Sequence, residues 1–280
     1  MRVLAISVLF LSVVSMAAAQ FNDNCGDLPD RMQLRAALIT AVVQETSGLN
    51  NNMWATLVDR DGVVCAVAYS GNNRGSQWPG SRVISAQKAN TANAFSLDNS
   101  SASNSSGQAN GLALSTANLY SAVQPGGSLY GLQASNPVDT SVAYGGNSMN
   151  YGLGNDPMVG QKIGGVNVFG GGLALYNAQH QIVGGLGVSG DTSCADHDIA
   201  YRVRHILMLD HLGSSCTASP GPACLPGVNG VSGDATHPDN IIYDITPNPN
   251  GGTGVSAGGF GHPICINTLQ PPSQLPAVIP

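Results

Sequence analysis

The sequence predicts one α+β domain built on an antiparallel sheet. Three patterns predict it. Apolar residues recur at helical spacing over residues 30–44, two β-branched runs flank Asp61-Gly62, and a strand-rich stretch, residues 166–189, runs into a last helix at Ser193. The order helix, hairpin, helix, strands, helix suits helices packed on a single antiparallel sheet.

Each element has a local cause. In residues 30–44, Met32, Leu34, Leu38, Ile39, Val42 and Val43 mark one side of an amphipathic helix, with Gly48 as a stop. In WATLVDRDGVVCAVAYS, residues 54–70, Asp61-Gly62 is a strong hairpin turn signal. The Ala-rich stretch RVISAQKANTANAF, residues 82–95, reads as the second helix. Residues 96–111 then turn to Ser, Asn and Gly and read as a flexible insertion, with N-x-S sequons at Asn99 and Asn104. A short helix is compatible with residues 115–123, while residues 125–165 show no periodicity and suit binding loops or an interface. Residues 166–189 read as two or three strands, and the last helix is expected over residues 193–212, capped by Asp191, Thr192 or Ser193. Residues 213–280 are Gly- and Pro-rich, with one short apolar run at Ile241-Ile242-Tyr243.

Composition narrows the class of function. Residues 1–19 carry a basic Arg2, an apolar run and Ala17-Ala18-Ala19, the pattern of a secretory signal peptide too short to span a membrane. The expected product is secreted or periplasmic, without a membrane span. Loss of Arg2 takes the net charge from −6 to −7, and charged residues are only 9% of the chain. With no basic patch, nucleic acid is not an expected partner. Six cysteines, Cys25, Cys65, Cys194, Cys216, Cys224 and Cys265, suit disulfides in an exported chain. Cys216 with Cys224 is the most local pairing, and Cys65, inside a strand, also reads as plain core.

Three segments together resemble the GlcG/HbpS family, also known as DUF336. They are the VDRDG turn, residues 58–62; the helix AQKANTANAF, residues 86–95; and Gly170-Gly171-Gly172 followed by IVGGLGVSGDT, residues 182–192, with Asp196 beyond. The resemblance spans about residues 30–212. It divides the chain into a signal peptide (1–19), a GlcG/HbpS-like domain (20–212) with an insertion at about 96–165, and a C-terminal extension (213–280). It implies an antiparallel sheet flanked by helices, homo-oligomeric assembly, and binding of haem or another small anionic ligand for redox sensing or sequestration. Relatives are also fused to corrinoid enzymes or sit in glycolate-utilisation operons, so the family fixes no single activity and no uniform set of haem ligands.

Candidate site residues follow from spacing. His197, Tyr201 and His205 stand at i, i+4 and i+8 on the last helix and share one face. Ile199, Val203, Ile206 and Leu207 lie roughly opposite, so the polar face is expected to point outward. His and Tyr are both axial ligand types for haem iron, which makes the three residues haem-iron candidates; an ordinary solvated face produces the same pattern. The loop through Ser189 and Gly190 into the helix N-terminus suits a carboxylate; the family resemblance implies that Lys88 faces the same cleft, and a solvated surface Lys fits the sequence equally. On that basis one alternative function is a secreted enzyme acting on a small organic acid; another, resting on the Gly/Asn-rich loops as an interface, is a structural or interaction module. His180 sits in a turn, and His211, His237 and His262 fall in loops, the last two before Pro. Ser256 lies in a G-x-S-x-G match, but a Gly-rich loop follows it where a nucleophile elbow needs a helix.

Overall fold

The computed structural model describes residues 25–98, 110–214, 227–245, 254–268 and 274–280. The signal-peptide segment, both sequons, Cys216 and Cys224 lie outside the described residues.

A four-stranded antiparallel sheet forms the middle layer, in the order β2-β1-β5-β4. Strands β1 (Trp54–Asp59) and β2 (Val64–Tyr69) form the expected hairpin. Gly62 takes φ +80° at the turn, where a side chain would be strained. β4 (Gly172–Tyr176) and β5 (Ile182–Ser189) form the second antiparallel pair, and β5 joins β1 with Trp54 opposite Ser189. Residues 166–189 thus supply two strands.

Alternation along the strands builds two cores. Ala55, Leu57, Leu173, Leu175, Leu186 and Val188 meet helices α1 (Arg31–Gln44) and α5 (Ser193–Ile206) on one side. α1 begins in a capping box between Asp30 and Gln33 and buries Leu34, Ala37, Leu38 and Ala41, while Met32 and Val43 are exposed. On the opposite side lies α2 (Ser81–Phe95). The sheet meets it through Gly185 and Gly187, where an added Cβ would overlap the carbonyl oxygens of Ala89 and Ser85. Helix backbone therefore rests almost directly on sheet backbone. Thr56 Oγ1 and Ser85 Oγ, 2.7 Å apart, give that contact a polar link.

The segment after α2 is irregular but packed. It holds β3 (Leu112–Ala113), tight 3₁₀ turns at Ala117–Leu119 and Ser121–Val123 in place of the expected short helix, and two one-turn helices, α3 (Leu132–Ser135) and α4 (Thr140–Ala143). Arg82 anchors it: Nε donates to Asp156 Oδ2 at 2.9 Å, and the guanidinium lies 3.6 Å from the Tyr151 ring centroid. β6 (Asn229–Gly230) pairs in parallel with β3, bringing the chain beyond 213 onto the body of the fold.

Two disulfides close the described structure, Cys25–Cys65 and Cys194–Cys265. Cys65 is therefore a cross-link from β2 to the segment before α1 and not plain core. Among the described residues, no helix is long and apolar enough to cross a membrane.

Candidate functional site

The loop that launches α5 is filled from within. Thr192 is the N-cap. Asp196, in the first turn, accepts the N–H groups of Gly190 (3.0 Å) and Asp191 (2.8 Å) on Oδ1, and its Oδ2 lies 2.6 Å from Lys88 Nζ. Lys88 also donates to the Val188 carbonyl at 2.9 Å. Burial raises the Asp196 carboxyl to about 6 and lowers Lys88; their mutual attraction opposes both shifts. Lys88 and Ser189 are buried. The expected cleft with Lys88 and the Ser189-Gly190 loop as an anion holder is thus corrected, because the protein's own carboxylate takes the place of the anion.

The row on α5 is also placed differently from its sequence expectation. His197 and Tyr201 are fully buried, and Ile206, expected on the apolar side, is 40% exposed. The row faces the chain beyond 213 rather than solvent. His197 Nε2 bonds Asn240 Oδ1 at 3.2 Å, and Nδ1 has no partner. Burial lowers the His197 imidazole to about 3, so it is neutral and Nε2–H is the donor. The Tyr201 ring lies between His197 and His237, at centroid distances of 5.7 and 5.9 Å. Arg204 sits 4.7 Å from the same ring and is held by Asp239 through bonds of 2.6 and 2.9 Å. Burial acts to raise Asp239, but the Arg204 guanidinium outweighs it and holds the carboxyl below its usual range.

Only His205 in this row reaches the surface, with its side chain 38% exposed. α5 stops at Ile206, not 212, because Met208 takes φ +57° and turns the chain back. That reversal carries Asp210 Oδ2 to 2.7 Å from His205 Nδ1. A carboxylate accepts only, so Nδ1–H donates and Nε2 is the remaining nitrogen. His205 lines a groove of about 360 Å³ with Gln44, Arg202, Ile206, Leu275 and Pro276. A larger cavity, about 540 Å³, runs along Tyr120, Ser121, Gln124, Val255, Ser256 and Phe260. Among the described residues, its lining holds no charged side chain and no imidazole.

The other histidines are structural. His180, buried at φ +58°, bonds the His211 carbonyl at 2.8 Å, and His211 Nδ1 bonds Pro280 O at 2.8 Å. His237 meets Asp234 Oδ2 at 2.9 Å. His262 Nε2 meets Ser193 Oγ at 2.8 Å, while its Nδ1 donates to the Pro263 carbonyl at 2.6 Å. Ser256 Oγ donates to Asp244 Oδ2 at 2.8 Å and accepts the Gly261 N–H at 3.0 Å; it lies in a loop with no histidine on its hydroxyl. Sequence reasoning passed over Arg204, Asp210, Asp239 and Asn240. The available signal was the scarcity of charge: an Arg beside the row, in a chain only 9% charged, invites a search for its partner.

The family model described as "Haem degrading protein HbpS-like" matches residues 32–204. The fold is similar to Klebsiella pneumoniae protein ORFY, a DUF336 protein, at 23% identity over 63% of this chain and 86% of that one (TM-score 0.40). It is also similar to a protein solved as the PduOC:heme complex, at 23% identity over 62% and 89% of the chains (TM-score 0.40). A double mutant of Streptomyces reticuli HbpS matches at 13% identity over 73% and 99% (TM-score 0.37). No curated protein matches the chain.

Proposed function

The chain belongs to the HbpS-like family, and from that premise we propose that it is an exported haem-binding protein serving haem or redox sensing or sequestration. The observation that carries the reading is the family match over residues 32–204. The geometry that favours a place for haem is His205. Its Nδ1 is tied to Asp210 at 2.7 Å, and a ligating histidine typically has its second nitrogen held in this way by a carboxylate. Nε2 is left to meet iron, beside the apolar Ile206, Leu275 and Pro276 of the groove. At about 360 Å³ the groove lies near the lower end of small-molecule sites, a size suited to one edge of a flat tetrapyrrole. Haem, when bound, supplies a redox-active iron; His205 positions it, and Asp210 fixes the imidazole tautomer. His197 and Tyr201 are further ligand candidates along the same row, beneath the C-terminal segment.

Export is part of the proposal, supported by the leader-like residues 1–19 and by the two disulfides. The same premise carries homo-oligomeric assembly into it. Haemin titrated into the purified chain should give a saturable Soret shift at defined stoichiometry. His205→Ala should weaken binding by about tenfold or more, the equivalent of a lost bond of about 1.4 kcal/mol, in protein that is still folded. Equal binding by the variant would remove His205 from the site, and no saturable shift in either protein would remove the function.

A further inference from the structure

The row His197, Tyr201, His205 is open at one end only. Over its closed part lie residues 237–240, and residues 262–265 cross the start of α5. We propose that the C-terminal segments 227–245 and 254–268 form a disulfide-latched cover over a second part of the ligand face, formed by His197, Tyr201 and Arg204, whose ligand is a planar conjugated molecule bearing carboxylates. The proposal rests on the haem reading above and deepens it by adding a control on how much of the row the ligand reaches.

Three observations carry it. First, the covered face is polar and unevenly satisfied. His197 Nδ1 and Arg204 Nε have no hydrogen-bond partner although both are buried. Unmade hydrogen bonds on buried groups are destabilising, and apolar side chains would serve a purely structural contact better. Second, the face has the chemistry of the ligand class. Arg204 presents a fork that Asp239 grips with both carboxylate oxygens, so Asp239 stands where a ligand carboxylate would bind. Tyr201 offers a ring between two imidazoles, and His197 Nδ1 offers a free lone pair, its Nε2–H being used on Asn240.

Third, the cover meets α5 itself at a few discrete points, while Asn240 and Ile242 also bond Asn118 and β6 pairs with β3. Asn240 holds His197, Asp239 holds Arg204, and His262 holds Ser193. The covalent tie is Cys194–Cys265, which joins the first turn of α5 to the segment across 71 positions of sequence. Without it the segment loses its covalent effective concentration at the helix and is held there by non-covalent contacts alone, so it opens more often. A dithiol reductant breaks the tie in a balanced step: the S–S bond is cleaved, two electrons and two protons pass to the sulfurs to make two thiols, and the reductant closes to its own disulfide. Cys25–Cys65 staples a different part of the fold, ahead of α1, and is no part of the cover.

The test uses the full chain with Cys194→Ser and Cys265→Ser together, leaving Cys25–Cys65 intact. Amide hydrogen exchange over residues 229–245 should rise by about tenfold or more relative to wild type, with β1 and β5 unchanged. Affinity for haemin should rise by about tenfold, and metal-free protoporphyrin should gain binding as well, because Arg204 and Tyr201 recognise it without iron. Adding His197→Ala should remove the haemin gain and leave the faster exchange. Faster exchange without a gain in either ligand would overturn the ligand face. A gain in affinity with no change in exchange would overturn the cover. Equal saturable haemin binding by wild type and variant sinks the covered ligand face and leaves the haem reading standing, whereas no saturable binding by either sinks the haem reading itself.

Discussion

Single residues set the largest local energies here, because several are charged and buried. Lys88 and Asp196 pair at 2.6 Å with both side chains nearly inaccessible. Removing one partner of such a pair strands the other charge, at a cost of about 3–5 kcal/mol. Lys88→Met should therefore lower unfolding stability by that order in urea denaturation, and a loss under 1 kcal/mol would show that the pair is not ionised. Asp198 behaves differently. Burial, then the nearby Glu45, raises its carboxyl from 3.8 to about 8. A group whose folded pKa lies above its unfolded one takes up a proton on folding, so its contribution to stability falls as pH climbs from about 4 to about 8. Buried His197, lowered from 6.5 to about 3, works the other way, adding stability as pH rises through that interval. Asp198→Asn isolates the first effect. It should raise the melting temperature at pH 8 relative to wild type, by roughly 2–4 °C for each kcal/mol regained, and change it little at pH 4. Equal melting shifts at both pH values would contradict the assignment. The spacing of His197, Tyr201 and His205 was legible in the sequence; their burial was not. A polar helix face covered by polar groups about 40 residues later has the same pattern as one covered by water. The Cys25–Cys65 link was illegible for a related reason, since alternation in a strand shows which side a cysteine faces but not what waits there.

Among the elements, the hairpin and α2 were the most readable. Asp61-Gly62 forces a reversal, and the Ala-rich run of residues 82–95 follows with its first residues already capable of a helix. The contact between α2 and β5 was hidden because it is made by missing side chains. Gly185 and Gly187 let helix backbone meet sheet backbone, and hydrophobic patterning registers only residues that are present. Gly187→Ala places a Cβ against the Ser85 carbonyl and the Ala89 nitrogen, so α2 must lift. A loss of about 1–3 kcal/mol, the usual effect of overpacking a close contact, should appear in thermal or urea melts. A neutral effect would mean that α2 sits farther from the sheet. α5 ends six residues before the expected 212: nothing in Leu207-Met208-Leu209 announces a break, yet Met208 at φ +57° reverses the chain.

For the whole molecule, the low charge count has a structural counterpart. Of 10 Lys and Arg residues, Arg82, Lys88, Arg202 and Arg204 stand in buried ion pairs, so the surface is poorer in charge than the composition suggests. Two of these pairs, Arg82–Asp156 and Arg204–Asp239, fasten irregular segments onto the family core, and Cys194–Cys265 fastens the second again. The loop-rich regions without periodicity are thus held by isolated strong contacts, a kind of order that sequence patterns do not display. The family core was legible because its turn, helix and glycine motifs are local. The chain beyond 213 was not, although it decides which part of the α5 row meets solvent. Haem binding by this molecule is tested most directly by the absorption spectrum of the protein recovered from its export route with haem available. A Soret band that shifts on binding and weakens in His205→Ala is the predicted result; a spectrum without a Soret band, from folded protein offered saturating haemin, would contradict the account.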